Sequence, residues 1–489
     1  MLSQHPDNAK KPYWHKEAFV NTHHELEECF LMFADLSADE MMWDWEGKLV
    51  DESVVEKLLG KYPDFFIKNP LGKGVFLTFR VPNPRVESGY RLGRAFMVIL
   101  SSQALALNTG LSALPLFEVI LPMTESAEEI LAVQKNFQQI AKAASHSFGA
   151  ATLGKQILEV IPIFESVDTI LRSGQILDDY ATSYQKHFRK KLNYIRPFCA
   201  RSDPALNSGI VPTTLAIKWA LSEYARFSQK TGISTYPIIA PGSLPFRGGL
   251  TPNTVSRFIS EFAGISTLVI QSSFRYDYPL EKVQSAIREI NNLIENHTTN
   301  ILSENALADI KELIAIFEKP YKKSIERIAA HVKKISAHIP QRRERVQHVG
   351  LFGYSRQVGK VKLPRAIGFT ASCYSLGIPP ELLGTGIGLM QAKKKGKLTL
   401  VELLYQELKP NLIRAGRFFR RESLKELNLL DLEENIKFIE EYLGQKLGPK
   451  TSDEIKHAEL VEKIISLLQE GKDPKKEIEE AALLRLGLG

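Results

Sequence analysis

Short apolar segments recur along most of the chain, and they constrain its fold more than any other feature. Seven of them are rich in β-branched and aromatic residues: VFLTFRV (75–81), FEVILPM (117–123), ILEVIPIFE (157–165), IRPFCARS (195–202), YPIIAPGS (236–243), LVIQSSF (268–274) and HVGLFGYSR (348–356). Most are continuously apolar, as is typical of strands buried on both faces of a parallel sheet. Segments with helical spacing separate them, so the repeated β–α units predict a doubly wound sheet or a (β/α)₈ barrel.

Two regions have helical patterns throughout, at about 279–340 and from about 398 to 489. In the first, the apolar residues of one helical face are Val283, Ile287, Ile290 and Ile294. The second contains TSDE (451–454), a sequence typical of a capped helix start. Because no repeat or linker marks a boundary, we expect a single barrel-based catalytic domain over 1–489. The two helical regions would be an insertion and a C-terminal extension of it.

The charge of the chain argues against a nucleic-acid partner. Its net charge is +7, from 63 basic and 56 acidic residues. The basic clusters are spread out, at HFRKK (187–191), RRER (342–345), KKKGK (393–397) and GRFFRRE (416–422). Nucleic-acid binding favours one basic stripe with interleaved aromatic residues. We therefore interpret most of these lysines as solvated helix faces.

Membrane and secretion signals are also missing from the sequence. No apolar run is long enough to cross a bilayer, and the first residues lack the apolar core of a signal peptide. Cys29, Cys199 and Cys373 are widely spaced and include no CxxC pair, so we expect no disulfide framework. These features predict a cytoplasmic protein with no membrane partner.

Charged residues follow the predicted strands at the points where the strands end. They are Arg80, Glu165, Asp203, Arg247, Arg275 and Arg356, with Ser355 beside Arg356 and Arg365 shortly after it. In a barrel these strand ends face one mouth, where active sites lie. Taken singly, each arginine could be a surface residue, and Asp203, which precedes Pro204, could be a helix cap.

These residue types indicate a metal and an anionic substrate. Glu165 and Asp203 would be hard oxygen ligands for Mg²⁺ or Mn²⁺, with water and substrate completing the shell; the alternative is a pair of helix N-caps. Several arginines at one mouth predict a small substrate rich in negative charge, since guanidinium groups bind phosphate and carboxylate in bidentate fashion. The glycines of GSLPFRGG (242–249) either let the main chain approach an anion or shape a turn.

An ordered series of motifs resembles the short, archaeal-type phosphoenolpyruvate carboxylases. The motifs are LSQHPDN, MWDWEGK (42–48), LTFRVPNP (77–84), FEVILPMT (117–124), IPIFE, ARSDPALNSG, GSLPFRGGL, QSSFRYD, GLFGYSR and LPRAIGFTASCYSLGIPPELLG. Together they extend from about residue 3 to residue 384. The resemblance implies a (β/α)₈ TIM-type barrel with additional helices, assembled as a homotetramer.

The resemblance also implies roles for individual residues. His5, in Q-H-P-D, is similar to the family's catalytic histidine, and Arg247 to the arginine that handles bicarbonate. Glu165 and Asp203 match the ligands of the divalent metal, Mg²⁺ or Mn²⁺. The residues implied to bind substrate are Arg80, Arg275, Ser355, Arg356 and Arg365. Where longer family members have a lysine after the metal-binding aspartate, this chain has Leu206.

The implied activity is carboxylation of phosphoenolpyruvate by bicarbonate, giving oxaloacetate and phosphate. The reaction would pass through carboxyphosphate and an enolate stabilised by the metal, and it would supply four-carbon acids. Two alternatives stay open. One is another barrel enzyme acting on phosphoenolpyruvate or pyruvate, an aldolase or phosphotransferase, which would not need QHPDN or GSLPFRGG. The other is a non-catalytic RNA-binding or scaffold barrel, which predicts salt-sensitive binding and no turnover.

Overall fold

The central element of the fold is a sheet of seven short parallel strands. A computed structural model of the chain describes residues 1–46, 50–87, 89–111, 113–148, 152–295, 299–344, 356–358 (backbone only) and 361–489. The strands are β1 (Glu40–Asp44), β2 (Phe76–Arg80), β3 (Glu118–Leu121), β4 (Glu159–Phe164), β5 (Tyr194–Ile195), β6 (Phe198–Ala200), β7 (Ser234–Thr235), β8 (Ile238–Ala240), β9 (Thr267–Leu268), β10 (Arg356–Val358) and β11 (Val361–Leu363). The sheet order is β1-β2-β3-β4-β6-β8-β9; β5 pairs with β7, and β10 with β11.

The two edges of the sheet meet the same residue near the start of the chain. Leu2 forms parallel bridges to Met41 of β1 and to Ile270, just beyond β9. The Leu2 amide donates to the Glu40 carbonyl (2.7 Å), and the Ser3 amide donates to the Ile270 carbonyl (3.0 Å). Because one residue pairs with both edges, the sheet must be curled. The fold is therefore mixed α/β with a curled parallel sheet.

Helices connect the strands and cover the outer face of the sheet. They are α1 (Glu25–Ala34), α2 (Val54–Lys61), α3 (Pro63–Lys68), α4 (Gly89–Thr109), α5 (Ala127–Ser147), α6 (Val167–Phe188), α7 (Ser202–Ser208), α8 (Ile210–Thr231), α9 (Val255–Glu261), α10 (Ser272–Tyr276), α11 (Leu280–Ile294), α12 (Ala306–Ser336), α13 (Ala366–Ser375), α14 (Thr385–Lys394), α15 (Leu398–Leu404), α16 (Leu408–Gly416), α17 (Glu422–Glu426), α18 (Glu433–Leu443), α19 (Ser452–Gln469) and α20 (Lys475–Arg485). Among the described residues, none of these is both long and apolar enough to cross a bilayer.

Most predicted elements are confirmed. Six predicted strand segments contain or overlap β2, β3, β4, β6, β8 and β9, although LVIQSSF turns into α10 after its first residues. The helical region 279–340 contains α11 and α12, and the region from 398 contains α15 to α20. Thr451 and Glu454 form the capping box expected at the start of α19. The strand β1 was not predicted from the sequence.

The concave face of the curled sheet has its own apolar cluster. Its buried side chains come from both edges and the middle of the sheet: Met42, Ile120, Ile161, Ile163, Phe198, Ile238 and Val269. A much larger cluster packs the opposite face of the strands against the helices. Two apolar layers, one on each face, explain why the strand sequences are continuously apolar.

Candidate active site

A cavity of about 360 Å³ lies at the carboxyl ends of the sheet strands. Arg80 is the last residue of β2, Glu165 follows β4, and Asp203 lies in the first turn of α7, directly after β6. Among the residues that line this strand-end cavity are His5, Glu46, Arg80, Glu165, Arg201, Ser202, Asp203, Arg247, Gln271, Arg342, Arg343 and Arg365. Arginines outnumber carboxylates, so the cavity suits an anionic ligand.

The structure thus brings six of the predicted site residues to one cavity. They are His5, Arg80, Glu165, Asp203, Arg247 and Arg365. Ser355 and the side chain of Arg356 lie outside the described residues. Arg275 is not among the residues lining the cavity. Its guanidinium is fully buried, donates to the Ser3 carbonyl (2.7 Å) and pairs with Glu28 (3.4 Å), so it holds the N-terminal segment instead.

His5 is held at the cavity by the backbone on either side of it. Its Nδ1 lies 2.8 Å from the Ser3 hydroxyl. The Ser272 hydroxyl donates to the His5 carbonyl (2.6 Å) and accepts from the Asp7 amide (2.9 Å). The Asp277 carboxylate accepts from the Ala9 amide (2.9 Å). These contacts fix a segment that would otherwise fray, as chain ends usually do.

Two acidic residues hold Arg80 in place. Its Nε and Nη2 donate to the two carboxylate oxygens of Asp44 (2.8 and 2.7 Å), and Nη2 also pairs with Glu46 (2.9 Å). Burial alone would lower the pKa of Arg80, but Asp44 and Glu46 raise it above its ordinary value. Glu46 also pairs with Arg365 (3.3 Å), whose side chain is 44% exposed and thus the more solvent-accessible of the two cations.

Arg247 ends a short 3-10 helix, Pro245–Arg247, and is surrounded by acceptors. Its Nη1 donates to Asp7 (2.9 Å) and to the Gly489 carbonyl (2.6 Å), its Nε to Ser202 (3.1 Å), and its Nη2 to Gln271. Burial lowers the pKa of Arg247, and the carboxylates of Asp7 and Asp203 oppose that shift. The guanidinium is therefore a buried, fixed positive charge.

Glu165 and Asp203 are the carboxylates that could hold a divalent ion. Both line the strand-end cavity, and Glu165 Oε1 accepts from the Met123 amide (3.2 Å). Within the described ranges, no three His, Cys, Asp or Glu side chains are grouped to enclose a metal ion. Two carboxylates on an open cavity nevertheless suit Mg²⁺, which usually keeps several waters and binds through one or two carboxylates plus substrate.

Several cavity residues were not predicted from the sequence. The cluster RRER was given no role in the site from the sequence, and its Arg342 and Arg343 are buried at 6% and 4% exposure. Arg343 pairs with Glu25 (3.2 Å) and Glu28, and Arg342 donates to the Asn8 carbonyl (3.1 Å). Local sequence could not reveal these partners, because they are some 300 positions away.

Comparison with known proteins gives a consistent result along the whole chain. A family model described as phosphoenolpyruvate carboxylase matches residues 1–489. The chain is 35% identical to the phosphoenolpyruvate carboxylase of Oenococcus oeni, across 100% of this chain and 98% of that protein. It is 37% identical to that of Pyrococcus abyssi, across 89% and 92%. A solved malate synthase of Haloferax volcanii, with magnesium and glyoxylate, covers 66% of this chain and 96% of its own at 12% identity and a TM-score of 0.35, a likeness too distant to carry any argument.

Proposed function

The chain belongs to the phosphoenolpyruvate carboxylase family, and on that premise we propose that it carboxylates phosphoenolpyruvate with bicarbonate, giving oxaloacetate and phosphate. The observation that carries the proposal is the meeting of His5, Glu165, Asp203 and Arg247 at one cavity with an excess of arginines. The family match, which extends over the full 489 residues, favours this reaction over the aldolase, phosphotransferase and RNA-binding alternatives.

The first chemical step is transfer of the phosphoryl group. An oxygen of bicarbonate bonds to phosphorus as the bond from phosphorus to the enol oxygen breaks, which leaves carboxyphosphate and the enolate of pyruvate. Positioned cations stabilise the charge that moves in such transfers. Arg365 and Arg247 are the guanidinium groups that we assign to this task. Arg80 is held through Nε and Nη2 by Asp44 and through Nη2 by Glu46, so it adds a further fixed positive charge, as Arg247 does.

The second step needs a base. Carboxyphosphate gives up its proton and separates into carbon dioxide and phosphate, and the enolate carbon then attacks carbon dioxide to form oxaloacetate. His5 is the residue that we assign to accept the proton, since imidazole titrates near working pH. When Nδ1 donates to the Ser3 hydroxyl, Nε2 is left as the accepting atom.

A divalent ion, Mg²⁺ or Mn²⁺, would be held by Glu165 and Asp203. When bound, it supplies positive charge next to the developing enolate oxygen. The Met123 amide fixes Glu165 Oε1, so this carboxylate is oriented before the ion arrives. The two residues come from the ends of neighbouring strands, β4 and β6, which keeps them within one site.

The finer features of the fold and assembly belong to the same proposal. Leu2 bridges both edges of the sheet, and this supports a (β/α)₈ barrel that the N-terminal segment completes. We also propose a single catalytic domain, a homotetramer and a cytoplasmic location. Light scattering on purified protein tests the assembly, and a monomer at micromolar concentration would contradict it.

The direct test is release of phosphate from phosphoenolpyruvate, followed together with oxaloacetate. Both products should require bicarbonate and a divalent ion. Glu165→Gln should raise the concentration of the ion that gives half-maximal activity, because it removes one carboxylate ligand. Glu128→Gln, which changes an exposed carboxylate of α5, should leave that concentration unchanged. Phosphate release that is independent of bicarbonate would contradict carboxylation, and unchanged ion dependence in Glu165→Gln would remove that residue from the ligands.

A further inference from the structure

Asp7 is a buried carboxylate that connects the N-terminal segment to two other parts of the site. Its exposure is 0%. Its Oδ1 accepts from the Ser273 amide (2.7 Å) in the first turn of α10 and lies 3.0 Å from the Ser272 hydroxyl. Its Oδ2 accepts from Arg247 Nη1 (2.9 Å). One side chain therefore links α10 to the turn that carries Arg247.

The backbone joins Asp7 closely to His5. Only Pro6 separates the two residues, and the proline ring fixes φ at its position. The Asp7 amide lies 3.2 Å from the His5 carbonyl oxygen. The Ser272 hydroxyl contacts both groups, at 2.9 Å from the amide and 2.6 Å from the carbonyl oxygen. Because little freedom is left between them, a displacement of Asp7 also displaces His5.

Asp7 also compensates the charge of Arg247. Within the described ranges, it is the carboxylate side chain that forms an ion pair with this guanidinium, and both partners are buried, at 0% and 2% side-chain exposure. Asp203 opposes the effect of burial on Arg247 as well, but from beyond ion-pair distance. Removing one partner of a buried ion pair leaves the other charge uncompensated. Without Asp7, the guanidinium would therefore be drawn toward Asp203.

Asp7 does not itself reach the reactants. His5 and Arg247 line the strand-end cavity, and Asp7 is not among the residues that do. Both of its carboxylate oxygens accept hydrogen bonds from the protein. It can therefore influence the reaction only through the two residues that it holds.

We propose that Asp7 is a positioning residue that holds His5 and Arg247 in one fixed arrangement, and that this arrangement keeps carbon dioxide beside the enolate. The inference rests on the proposed function, in which Arg247 acts in the first step and His5 in the second. When both are held in place, the enolate carbon attacks carbon dioxide and oxaloacetate forms. When Arg247 shifts, carbon dioxide escapes, and the enolate carbon takes a proton from water, which leaves pyruvate and hydroxide. Phosphate is still released, and its release still requires bicarbonate.

The variant Asp7→Asn tests the proposal through the products. The asparagine oxygen can still accept from the Ser273 amide, and its NH₂ group then faces Arg247 Nη1, so the ion pair is lost. We expect kcat for oxaloacetate to fall by about 10- to 100-fold, and the share of pyruvate among the products to rise severalfold. The KM for phosphoenolpyruvate should change less, because Asp7 does not line the cavity. Asp168→Asn, which removes an exposed pair with Arg172 (2.8 Å), should alter none of these quantities.

A double variant separates positioning from general stability. In Arg247→Gln there is no guanidinium for Asp7 to hold, so adding Asp7→Asn should change the share of pyruvate little. An equal effect of Asp7→Asn with and without Arg247 would overturn the proposal. So would a variant that does not fold, or one with a lower Tm and the wild-type ratio of products, since Asp7 would then serve stability alone. If the wild-type chain forms no oxaloacetate, the proposed function itself fails, which is a separate outcome.

Discussion

His5 is placed by backbone hydrogen bonds rather than by a strand or helix. The Ser272 hydroxyl and the Ile270 carbonyl fix the residues on either side of it, so replacing its ring should disturb little of this scaffold. An asparagine keeps an amide near the position of Nδ1 but has no base at the position of Nε2. The role that we assign to His5 therefore concerns proton transfer and not folding.

We expect His5→Asn to lower the rate of oxaloacetate formation by about 10²- to 10⁴-fold, the usual contribution of a general acid–base group. Far-UV circular dichroism and Tm should stay close to wild type. The matched control is His187→Asn, an exposed histidine near the end of α6. If carboxylation continues at the wild-type rate in His5→Asn, another group accepts the proton.

At the scale of elements, segments that are neither strand nor helix complete the cavity. The Gly489 carbonyl accepts from Arg247, and the Leu488 amide donates to the Asp7 carbonyl (2.8 Å). Arg485 donates to the Leu488 carbonyl (2.8 Å). The residues that follow α20 are thus fixed against the N-terminal segment and against the turn that carries Arg247.

Gly489→Ala tests this arrangement. A Cβ at this position would collide with the Ile367 carbonyl oxygen and lie 2.8 Å from the Ala371 amide nitrogen. We expect kcat to fall by about 10- to 100-fold, because a displacement of about 1 Å near reacting groups costs that much. Gly60→Ala is the control, since nothing lies within 4 Å of its Cβ position. Unchanged kcat in Gly489→Ala would show that the contact with Arg247 is dispensable.

The variant Arg342→Met tests how the N-terminal segment, residues 3–9, is held. It donates to the carbonyls of Asn8 (3.1 Å) and Ala9 (3.4 Å), so Arg342→Met should loosen the backbone that follows His5. We expect faster amide exchange at residues 3–9 and a lower kcat, with KM changed less. Arg327→Met removes an exposed ion pair and should alter neither. A lower Tm with unchanged amide exchange at residues 3–9 would mean that Arg342 stabilises the fold as a whole and does not specifically hold the N-terminal segment.

The sequence predicts those parts of the site that depend on local sequence patterns and not those that depend on partners distant in the chain. Continuous apolar segments indicate buried strands, and the carboxyl ends of parallel strands lie at one edge of the sheet. The sequence therefore predicts that the residues at these ends share that edge: Arg80, Glu165, Asp203 and Arg247. By contrast, β1 begins and ends with acidic residues, Glu40 and Asp44, and so does not read as a buried strand. Their partners, Arg196 and Arg80, come from other parts of the chain.

At the scale of the whole molecule, buried carboxyls connect stability to pH. Burial raises the pKa of four of them to about 7: Glu87, Glu159, Asp277 and Glu381. Glu28 behaves in the opposite way. Burial alone would raise its pKa, but Arg343 and Arg275 lower it to about 2, so its contribution is lost only as pH falls below its unfolded value of 4.5. The four carboxyls with raised pKa destabilise the folded chain as pH rises toward 7, and Glu28 destabilises it as pH falls below 4.5. We therefore expect the free energy of unfolding to be maximal at mildly acidic pH.

Glu381 isolates one contribution to this pH dependence. Between about pH 4.5 and 7 the folded chain holds a proton on this carboxyl that the unfolded chain has released, so the free energy of unfolding falls as pH rises. Glu381→Gln removes this loss, and the shift corresponds to a gain of at most about 3 kcal/mol at pH 8 relative to wild type. The amide oxygen can still accept from the Phe246 amide and the Tyr374 hydroxyl, as Oε1 does now.

Urea unfolding at pH 5 and pH 8 measures the difference between Glu381→Gln and wild type, with Glu459→Gln, at an exposed position, as control. An equal effect of Glu381→Gln at both pH values would mean that the variant changes packing and that Glu381 stays ionised in the folded chain.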